Sequence, residues 1–295
     1  MSSLVRDMTK DDIDRVGEIL YDSFTTGAVK HGYAPVMQSV QEGKGWAWAM
    51  FHHGSSENLV GVVDDCVVGA VFLSRRGAVA GAGPMAIDPA FQGKTITAKL
   101  MKAIHELAEG VCMRVVQEAF NSKSFSMLYA YDYTPVAELM DIYLHGNTSL
   151  KTDFHPDIAE LSAHDLDAFH AYDFPRSRFD RRADFKYYVR WGKVLVYRDQ
   201  SQIRGYLACL PGSGSVQLGP LLAEGEEEAE CLFRHALAIF RGKTCRTRVM
   251  ARDSRLVHAL LKLGFRLYCT NFLMVRGAWR PGPYIESFGR FPEGV

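Results

Sequence analysis

A strand that turns sharply into a helix is the clearest place for chemistry in this sequence. An apolar run ends at Asp88-Pro89, which cannot continue a helix into the proline, and a turn then reaches Gln92-Gly93-Lys94. The apolar positions that follow recur every three or four residues, which predicts a helix: Ile96, Leu100, Met101, Ile104 and Leu107. A helix start offers unpaired backbone N–H groups and a positive dipole end, so it can bind phosphate. A plain core helix with the same start is the alternative.

A second strand-to-helix segment follows in the chain. Residues 114–119 read as a compact strand, and Asn121 caps a helix that carries Leu128 and Tyr129. Taken with the first segment, this order resembles the acyl-CoA site of the GNAT N-acyltransferase superfamily. The second segment resembles that family's ending N-x(6)-L-Y-x(3)-G-F, with Asp132 replacing glycine and Tyr133 replacing phenylalanine.

The first segment resembles the family pattern Q/R-x-x-G-x-G/A only in part. Gln92 and Gly93 fit, whereas Thr95 and Thr97 stand where the pattern has small residues that let the backbone approach the CoA pyrophosphate. Ala98 then restores a small side chain. The resemblance implies acetyl-CoA or another acyl-CoA as co-substrate and no metal. It implies these CoA-binding residues: Met85, Ala86, Ile87, Gln92, Gly93, Lys94, Thr95, Ile96, Thr97, Ala98 and Asn121.

Three residues receive catalytic roles. The resemblance implies that Tyr129 protonates the leaving thiolate and that Asn121 bonds the pantetheine arm or the attacking amine. An amine arrives as ammonium and must lose a proton, and Glu118 on the strand is the candidate base, because a partly apolar pocket would raise the pKa of its carboxyl. The alternatives are a core aromatic for Tyr129, a simple helix cap for Asn121 and a solvated edge carboxylate for Glu118.

Composition narrows the choice of partner. The chain has 295 residues, room for two domains, and its 34 Lys and Arg balance its 34 Asp and Glu. A net charge of zero gives nothing that recruits nucleic acid or an anionic membrane, so a small-molecule amine is favoured. A cytoplasmic protein is predicted, because the chain has six cysteines without a CxxC pair, no apolar signal segment and no long apolar run. We expect it to be a monomer or a homodimer.

The second half of the chain repeats the first. The segment 251–265 aligns without a gap on 119–133, since 253 minus 121 and 265 minus 133 both equal 132, and Gly219-Pro220 echoes Gly83-Pro84. The fold class predicted is therefore α/β, with two tandem GNAT-like domains. Each domain is expected to have a mixed twisted sheet flanked by helices and a cleft between its fourth and fifth strands. Their boundaries are 1–147 and 155–295, across a polar, turn-rich linker.

The two copies differ where phosphate would bind. The acidic run Glu224 to Glu230 takes the place of Gln92-Gly93-Lys94, and Leu261 takes the place of Tyr129. Carboxylates at a helix start suit the dipole but repel a diphosphate. We therefore expect only the first half to bind acyl-CoA, while the degenerate second half completes the acceptor cleft and the Gly- and Pro-rich tail crosses the interface through Trp279 and Tyr284.

These observations predict transfer of an acetyl or other acyl group from acyl-CoA to a primary amine of a small molecule by direct attack. Two alternatives stay open: a non-catalytic acyl-CoA-binding or regulatory module, made credible by Thr95 and Thr97, and an N-acetyltransferase acting on proteins. The aromatic-rich segment from Thr25 to His53 is expected to be a second helix with its aromatics in the core, or else a pocket wall.

Overall fold

The computed structural model describes residues 3–93, 95–146, 154–178, 180–212 and 214–289, which form a mixed α/β fold. The first half contains the elements β1 (Ser3–Asp7), α1 (Ile13–Lys30), α2 (Val40–Phe51), β2 (Ser56–Val63), β3 (Cys66–Arg76), β4 (Val79–Ile87), α3 (Thr95–Leu107), β5 (Cys112–Glu118), α4 (Ser122–Ala130) and β6 (Thr134–Leu144). The second half contains β7 (Ile158–Glu160), α5 (Leu166–Ser177), α6 (Arg182–Trp191), β8 (Lys193–Asp199), β9 (Gln202–Pro211), β10 (Val216–Ala223), α7 (Glu226–Ile239), β11 (Cys245–Met250), α8 (Ser254–Lys262), β12 (Arg266–Arg276) and β13 (Ile285–Phe288).

The strands of both halves join into one mixed sheet. Its order is β1-β2-β3-β4-β5-β12-β6-β11-β13-β10-β9-β8-β7, with β10 also pairing β11. The two parallel pairings are short, β4 with β5 and β10 with β11, and the other ladders are antiparallel. The sheet is therefore continuous without being a doubly wound parallel sheet, and the predicted α/β class with two repeated halves is confirmed.

The halves exchange one strand each at the centre of the sheet. Strand β12 repeats β6, because 266 minus 134 and 276 minus 144 both equal 132. Yet β5 of the first half pairs with β12, and β11 of the second half pairs with β6. The two exchanged strands then pair with each other over most of their length. Each half thus completes its sheet with a strand of the other half. The proposed division at 147–155 falls on a stretch whose residues 147–153 lie outside the described part of the chain.

Helix α3 packs its apolar face on the first half of the sheet. Ile96, Leu100, Met101 and Ile104 are buried, as predicted, but Leu107 is 37% exposed at the helix end. The contact is close because the sheet carries glycine below the helix. A Cβ on Gly61 would lie 2.5 Å from Ile96 Cγ1, so this position admits only glycine without a shift of the helix. The packing fixes where the start of α3 meets the sheet.

A buried ion network joins the two halves away from the exchanged strands. Asp184 of α6 accepts hydrogen bonds from Arg76 of β3, through Nε at 2.7 Å and Nη2 at 3.1 Å. Nε2 of His53 lies 3.1 Å from the same carboxylate. All three side chains are at most 3% exposed. Since a buried charge is tolerated only when it is paired, this network requires both halves at once.

None of the described helices is long and apolar enough to cross a membrane.

Candidate active site

A cleft opens in the first half because β4 and β5 separate. The two strands pair only from Val79 to Gly81 against Cys112 to Arg114. Beyond this point the register of β4 on β3 shifts between Val71 and Leu73, where Gly83-Pro84 bulges with φ +135° at Gly83 and a cis peptide bond. A bulge bends a strand and increases its twist, which carries the end of β4 away from β5. A cavity of about 530 Å³ occupies the gap.

The start of α3 forms one end of this cavity. Asp88, held by Arg15 at 2.5 Å, accepts a hydrogen bond from the N–H of Ala90 and so fixes the turn that precedes the helix. Gln92, Gly93, Thr97 and Ala98 then line the cavity. Gly93 has φ +78°, a left-handed conformation that favours glycine. The start of α3 therefore borders the cavity, and the unpaired N–H groups that any helix start offers suit a phosphate.

The remaining predicted CoA residues divide into two groups. Met85, Ile87 and Asn121 line the cavity, whereas Ala86, Thr95 and Ile96 do not. Each of the three lies away from the cavity for a different reason. Ala86 faces α1 and α2 on the other side of the sheet, Ile96 is buried between α3 and the sheet, and Thr95 is exposed. Alternation along the strand and the turn of the helix point these three side chains elsewhere, so any contact of these residues with CoA would be made by their backbone groups and stays a prediction. Lys94 lies outside the described residues.

A lysine that sequence reasoning missed stands at the phosphate end. Lys123, in the first turn of α4, lines the cavity, and its Nζ lies 3.9 Å from the position that a Cβ of Gly93 would take. Gly93 and Lys123 are thirty residues apart, so no local pattern links them. The proximity of β5–α4 to the start of α3 could have been anticipated from the parallel β4–β5 pairing, since both connections leave the same edge of the sheet.

Asn121 caps α4 and also lines the cavity. Its Oδ1 accepts a hydrogen bond from the N–H of Ser124 at 3.2 Å and so caps α4, and the residue also lines the cavity. The hydroxyl of Ser124 donates to Gln117 Oε1 at 2.7 Å, which ties the cap to β5. The cap is observed, and a contact with pantetheine or an amine stays a prediction.

Tyr129 does not reach the cavity. Its side chain is 49% exposed and contacts Phe125, while Leu128, one residue earlier, is buried and lines the cavity with Tyr131 and Tyr133. Only Ala130 and Tyr131 separate Tyr129 from Asp132, one residue fewer than the family spacing. Successive helix residues point about 100° apart, so Leu128 takes the inward position, Tyr129 faces solvent, and the predicted place of Tyr129 is corrected.

Glu118 lies at the end of β5 and lines the cavity. Its neighbour across the sheet is Asn271 of β12, so the second half supplies the wall beside it. The residue is half-buried. The position of Glu118 beside the cavity is compatible with the predicted base, and this role stays a prediction.

A tyrosine and a histidine lie side by side in the first half. The hydroxyl of Tyr133 is 3.2 Å from His105 Nε2 and donates to Met113 Sδ at 3.4 Å. Burial raises the pKa of the Tyr133 phenol and lowers the pKa of the His105 imidazole. Both groups are therefore neutral near pH 7. Tyr133 lines the cavity as a protonated phenol that cannot act as a base there.

The other end of the cavity is lined by residues of both halves. The first half contributes Ser23, Phe24, Val36, Trp46 and Met50, and the second contributes Arg248 of β11. Arg248 Nε lies 3.2 Å from Asp141 of the exchanged strand β6. This end of the cavity is largely apolar with a few polar groups, the usual composition of a small-molecule pocket. Of the aromatics of 25–53, Trp46 lines the pocket, Phe51 packs against the core and Trp48 is 40% exposed.

A loop between α1 and α2 closes this end. Tyr33 stacks on Phe120 with ring centroids 4.4 Å apart, and the hydroxyl of Tyr268 of β12 donates to the carbonyl of Ala34 at 2.6 Å. Val36 reaches the cavity from the same loop. The second half therefore holds the lid of the first half in place.

The equivalent cleft of the second half is filled by the chain itself. Strand β10 has the same register shift, between Leu218 and Leu221, and Gly219-Pro220 is cis as well. The short strand β13 lies between the two separating strands. Its residues Ile285–Ser287 pair with Ala223–Leu221 of β10, and Ser287 and Phe288 pair with β11. The expected cleft between the fourth and fifth strands is therefore correct only for the first half.

The tail reaches this position by crossing the sheet. Trp279 is 9% exposed and packs 4.4 Å from the guanidinium of Arg114 in β5, and Arg252 donates to the carbonyls of Gly282 and Tyr284. Trp279 and Tyr284 are anchored as predicted, but the four-residue strand that follows them was not foreseen. It is too short and too poor in alternation for a sequence signal.

Comparisons with known proteins agree with this geometry. Residues 15–133 match a family model described as acetyltransferase (GNAT) family, and residues 170–287 match one described as acetyltransferase (GNAT) domain. Together the two models span most of the chain. The protein therefore belongs to the GNAT superfamily, and more particularly it is a tandem GNAT protein. No curated protein matches it in sequence.

Solved structures share the fold at low sequence identity. A candidate acetyltransferase from Pyrococcus horikoshii superposes with a TM-score of 0.76 at 15% identity, over 97% of this chain and 93% of that one. A GCN5-related N-acetyltransferase from Sphaerobacter thermophilus gives 0.64 at 15% identity, over 95% and 96%. A tandem GNAT protein from the clavulanic acid biosynthesis pathway gives 0.64 at 13% identity, over 94% and 100%. This chain thus shares its fold with these proteins.

Proposed function

We propose that the protein transfers an acetyl or other acyl group from acyl-CoA to a primary amine of a small molecule, in the cleft of the first half. One observation carries the proposal: β4 and β5 separate to form a single cavity with a helix start at one end and an apolar, polar-dotted pocket at the other. The first end suits a diphosphate and the second an acceptor. The family assignment makes acyl transfer the chemistry to test first.

Different residues of the cleft hold different parts of acyl-CoA. The N–H groups at the start of α3 and the ammonium of Lys123 hold the diphosphate. Free backbone groups of β4 near Met85 and Ile87 hydrogen-bond the amides of the pantetheine arm. Holding the thioester carbonyl beside the acceptor amine converts a bimolecular encounter into an intramolecular one, which supplies much of the acceleration.

Glu118 serves as the base, directly or through a water molecule. It takes a proton from the acceptor ammonium, the amine nitrogen attacks the thioester carbon, and the C–S bond breaks as the amide forms. The sulfur leaves as a thiolate and takes up a proton from solvent or from the attacking nitrogen. A thiolate is a fair leaving group near neutral pH, so the step does not require a phenol such as Tyr129.

The second half binds no acyl-CoA under this proposal. Strand β13 occupies the gap, and α7 begins with Glu226, Glu227 and Glu228. Glu226 also pairs with Arg255 at 3.0 Å, the residue equivalent to Lys123 because 255 minus 123 equals 132. A diphosphate would therefore meet carboxylates and a neutralised cation in a cleft that is already filled. The role of the second half is instead to complete the acceptor pocket through Arg248 and Tyr268.

Calorimetric titration with CoA and a thiol-release assay over a panel of small amines test the proposal together. We expect one CoA site per chain and turnover with at least one amine. CoA binding without turnover on any amine would favour a non-catalytic module, and two equal CoA sites would contradict the asymmetry. Acetylome mass spectrometry addresses the third alternative, since a protein acceptor would have to enter a pocket that the Tyr33 loop covers.

A further inference from the structure

A second concave site lies between the two halves, apart from the acyl-transfer cleft. It is a groove of about 540 Å³. The first half contributes the end of α2 and the β3–β4 turn, with His52, Arg75 and Arg76, and the second half contributes one face of α6. None of its lining residues borders the acyl-transfer cavity. Its volume is in the range of sites that bind small molecules.

The groove is strongly basic in a chain whose net charge is zero. Arg182, Lys186 and Arg190 recur every four residues, so they form one ridge of α6 that faces the groove. Arg182 is neutralised by Asp180, and Arg75 lies 3.3 Å from Glu57. Lys186 and Arg190 have no acidic partner among the described residues. Like charges one turn apart destabilise a helix unless something neutralises them, which points to an anionic ligand.

The groove also has an aromatic wall. Trp191 is 48% exposed and lines it, and Trp48 beside it is 40% exposed. The two rings meet edge to face at 5.9 Å, and Trp48 stacks on His52 at 4.3 Å. The guanidinium of Arg190 lies 5.0 Å from the Trp191 ring. Exposed indoles and cations at one place provide stacking and charge to the same ligand.

We propose that this groove binds a small organic polyanion that carries a planar ring, of the nucleoside-polyphosphate type. Lys186 and Arg190 hold the charges and Trp191 stacks on the ring. The floor of the groove is Arg76, which is also the partner of Asp184 in the network that joins the halves. A bound ligand touches both halves at this junction, so its binding stabilises their association by linkage.

Calorimetry with ATP, adenosine and inorganic pyrophosphate as probes tests the proposal. We expect ATP to bind more tightly than adenosine alone or pyrophosphate alone. Lys186→Ala and Arg190→Ala should each weaken ATP about tenfold, because each removes a charge-assisted contact. Trp191→Ala should weaken ATP and leave pyrophosphate unchanged. The matched control is Lys10→Ala, an equally exposed lysine outside the groove, which should bind ATP as the unaltered protein does.

The acyl-transfer cleft must be separated from the groove, because CoA also carries a nucleotide. Lys123→Ala changes the cleft alone and should leave ATP affinity unchanged. The proposal is overturned if Lys123→Ala weakens ATP binding and Lys186→Ala does not. It is also overturned if no probe binds, or if a Glu-rich peptide binds in place of ATP. Calorimetry needs no turnover, so failure here is distinguishable from the absence of acyl transfer.

Discussion

The cavity contains a leucine where the sequence led us to expect a phenol. Leu128 faces the pocket and Tyr129 faces solvent. A motif match compares residue types along the chain, whereas successive side chains of a helix point about 100° apart. A shift of one position therefore barely affects the match but changes the direction in which the side chain points.

Replacement of Tyr129 by phenylalanine tests this placement. Since the hydroxyl lies outside the cavity, Tyr129→Phe should change kcat and KM by less than about twofold in steady-state thiol release. A loss of kcat of tenfold or more would show that the phenol reaches the thioester in the loaded enzyme.

Glu118→Gln keeps the shape of the side chain and removes its basicity. We expect kcat to fall by about 10²- to 10⁴-fold, the usual contribution of a general base, with little change in CoA affinity by calorimetry. The residual activity should rise with pH, since a larger fraction of the acceptor amine is then already neutral. An unchanged kcat would indicate that Glu118 is a solvated edge carboxylate and not the base.

Lys123 and its counterpart Arg255 form a matched pair for the phosphate end. Lys123→Ala should weaken CoA binding by about threefold to tenfold, as expected for an exposed cation beside a phosphate, and the loss should shrink at high salt. Arg255→Ala should have no effect on CoA, because Glu226 neutralises that residue and β13 fills its cleft. Equal effects of the two changes would contradict the asymmetry of the halves.

At the scale of elements, the sequence predicted the helices and strands of its motifs but not all of their partners. The face of α3 follows from local periodicity, and the repeat of α4 by α8 follows from the alignment of the two halves. The insertion of β13, the exchange of β6 with β12 and the basic groove depend on residues far apart in the chain. Local patterns specify that a strand forms and leave open which edge it joins.

The contact between β3 and α6 depends on one carboxylate. Burial by itself would raise the pKa of Asp184, but the attraction of Arg76 and the hydrogen bond from His53 outweigh it and hold the pKa well below the ordinary value. Asp184→Asn leaves Arg76 buried without its charge partner. We expect a loss of about 3–5 kcal/mol in the free energy of unfolding, measured with urea.

The matched control is Asp180→Asn, which breaks a more exposed pair with Arg182 and should cost at most about 1 kcal/mol. Because the pKa of Asp184 is lowered on folding, its stabilisation is full above the unfolded pKa of about 3.9 and is lost as the pH falls towards the folded value. The Asn variant should therefore show less loss of stability in acid than the unaltered protein does.

At the scale of the whole molecule, the repeated sequence encodes two halves that are not separable. The first half lacks the strand beside β5, and the second lacks the strand beside β11. We expect fragments 1–147 and 155–295 to be poorly folded when each is expressed alone, and to associate when they are expressed together. Size-exclusion chromatography and circular dichroism would show this, and two stable monomeric fragments would contradict it.

The exchanged strands also set an order of events during synthesis. A ribosome releases the chain from its N-terminus, and β5 is complete at Glu118, whereas the strand that covers its open edge ends at Arg276. A further 158 residues, from 119 to 276 of 295, must therefore be translated before the first half can close its own sheet. Until then β5 presents unpaired N–H and C=O groups to other nascent chains. The centre of the sheet is thus the last part to assemble, and a chain truncated before β12 is expected to leave the edge of β5 uncovered.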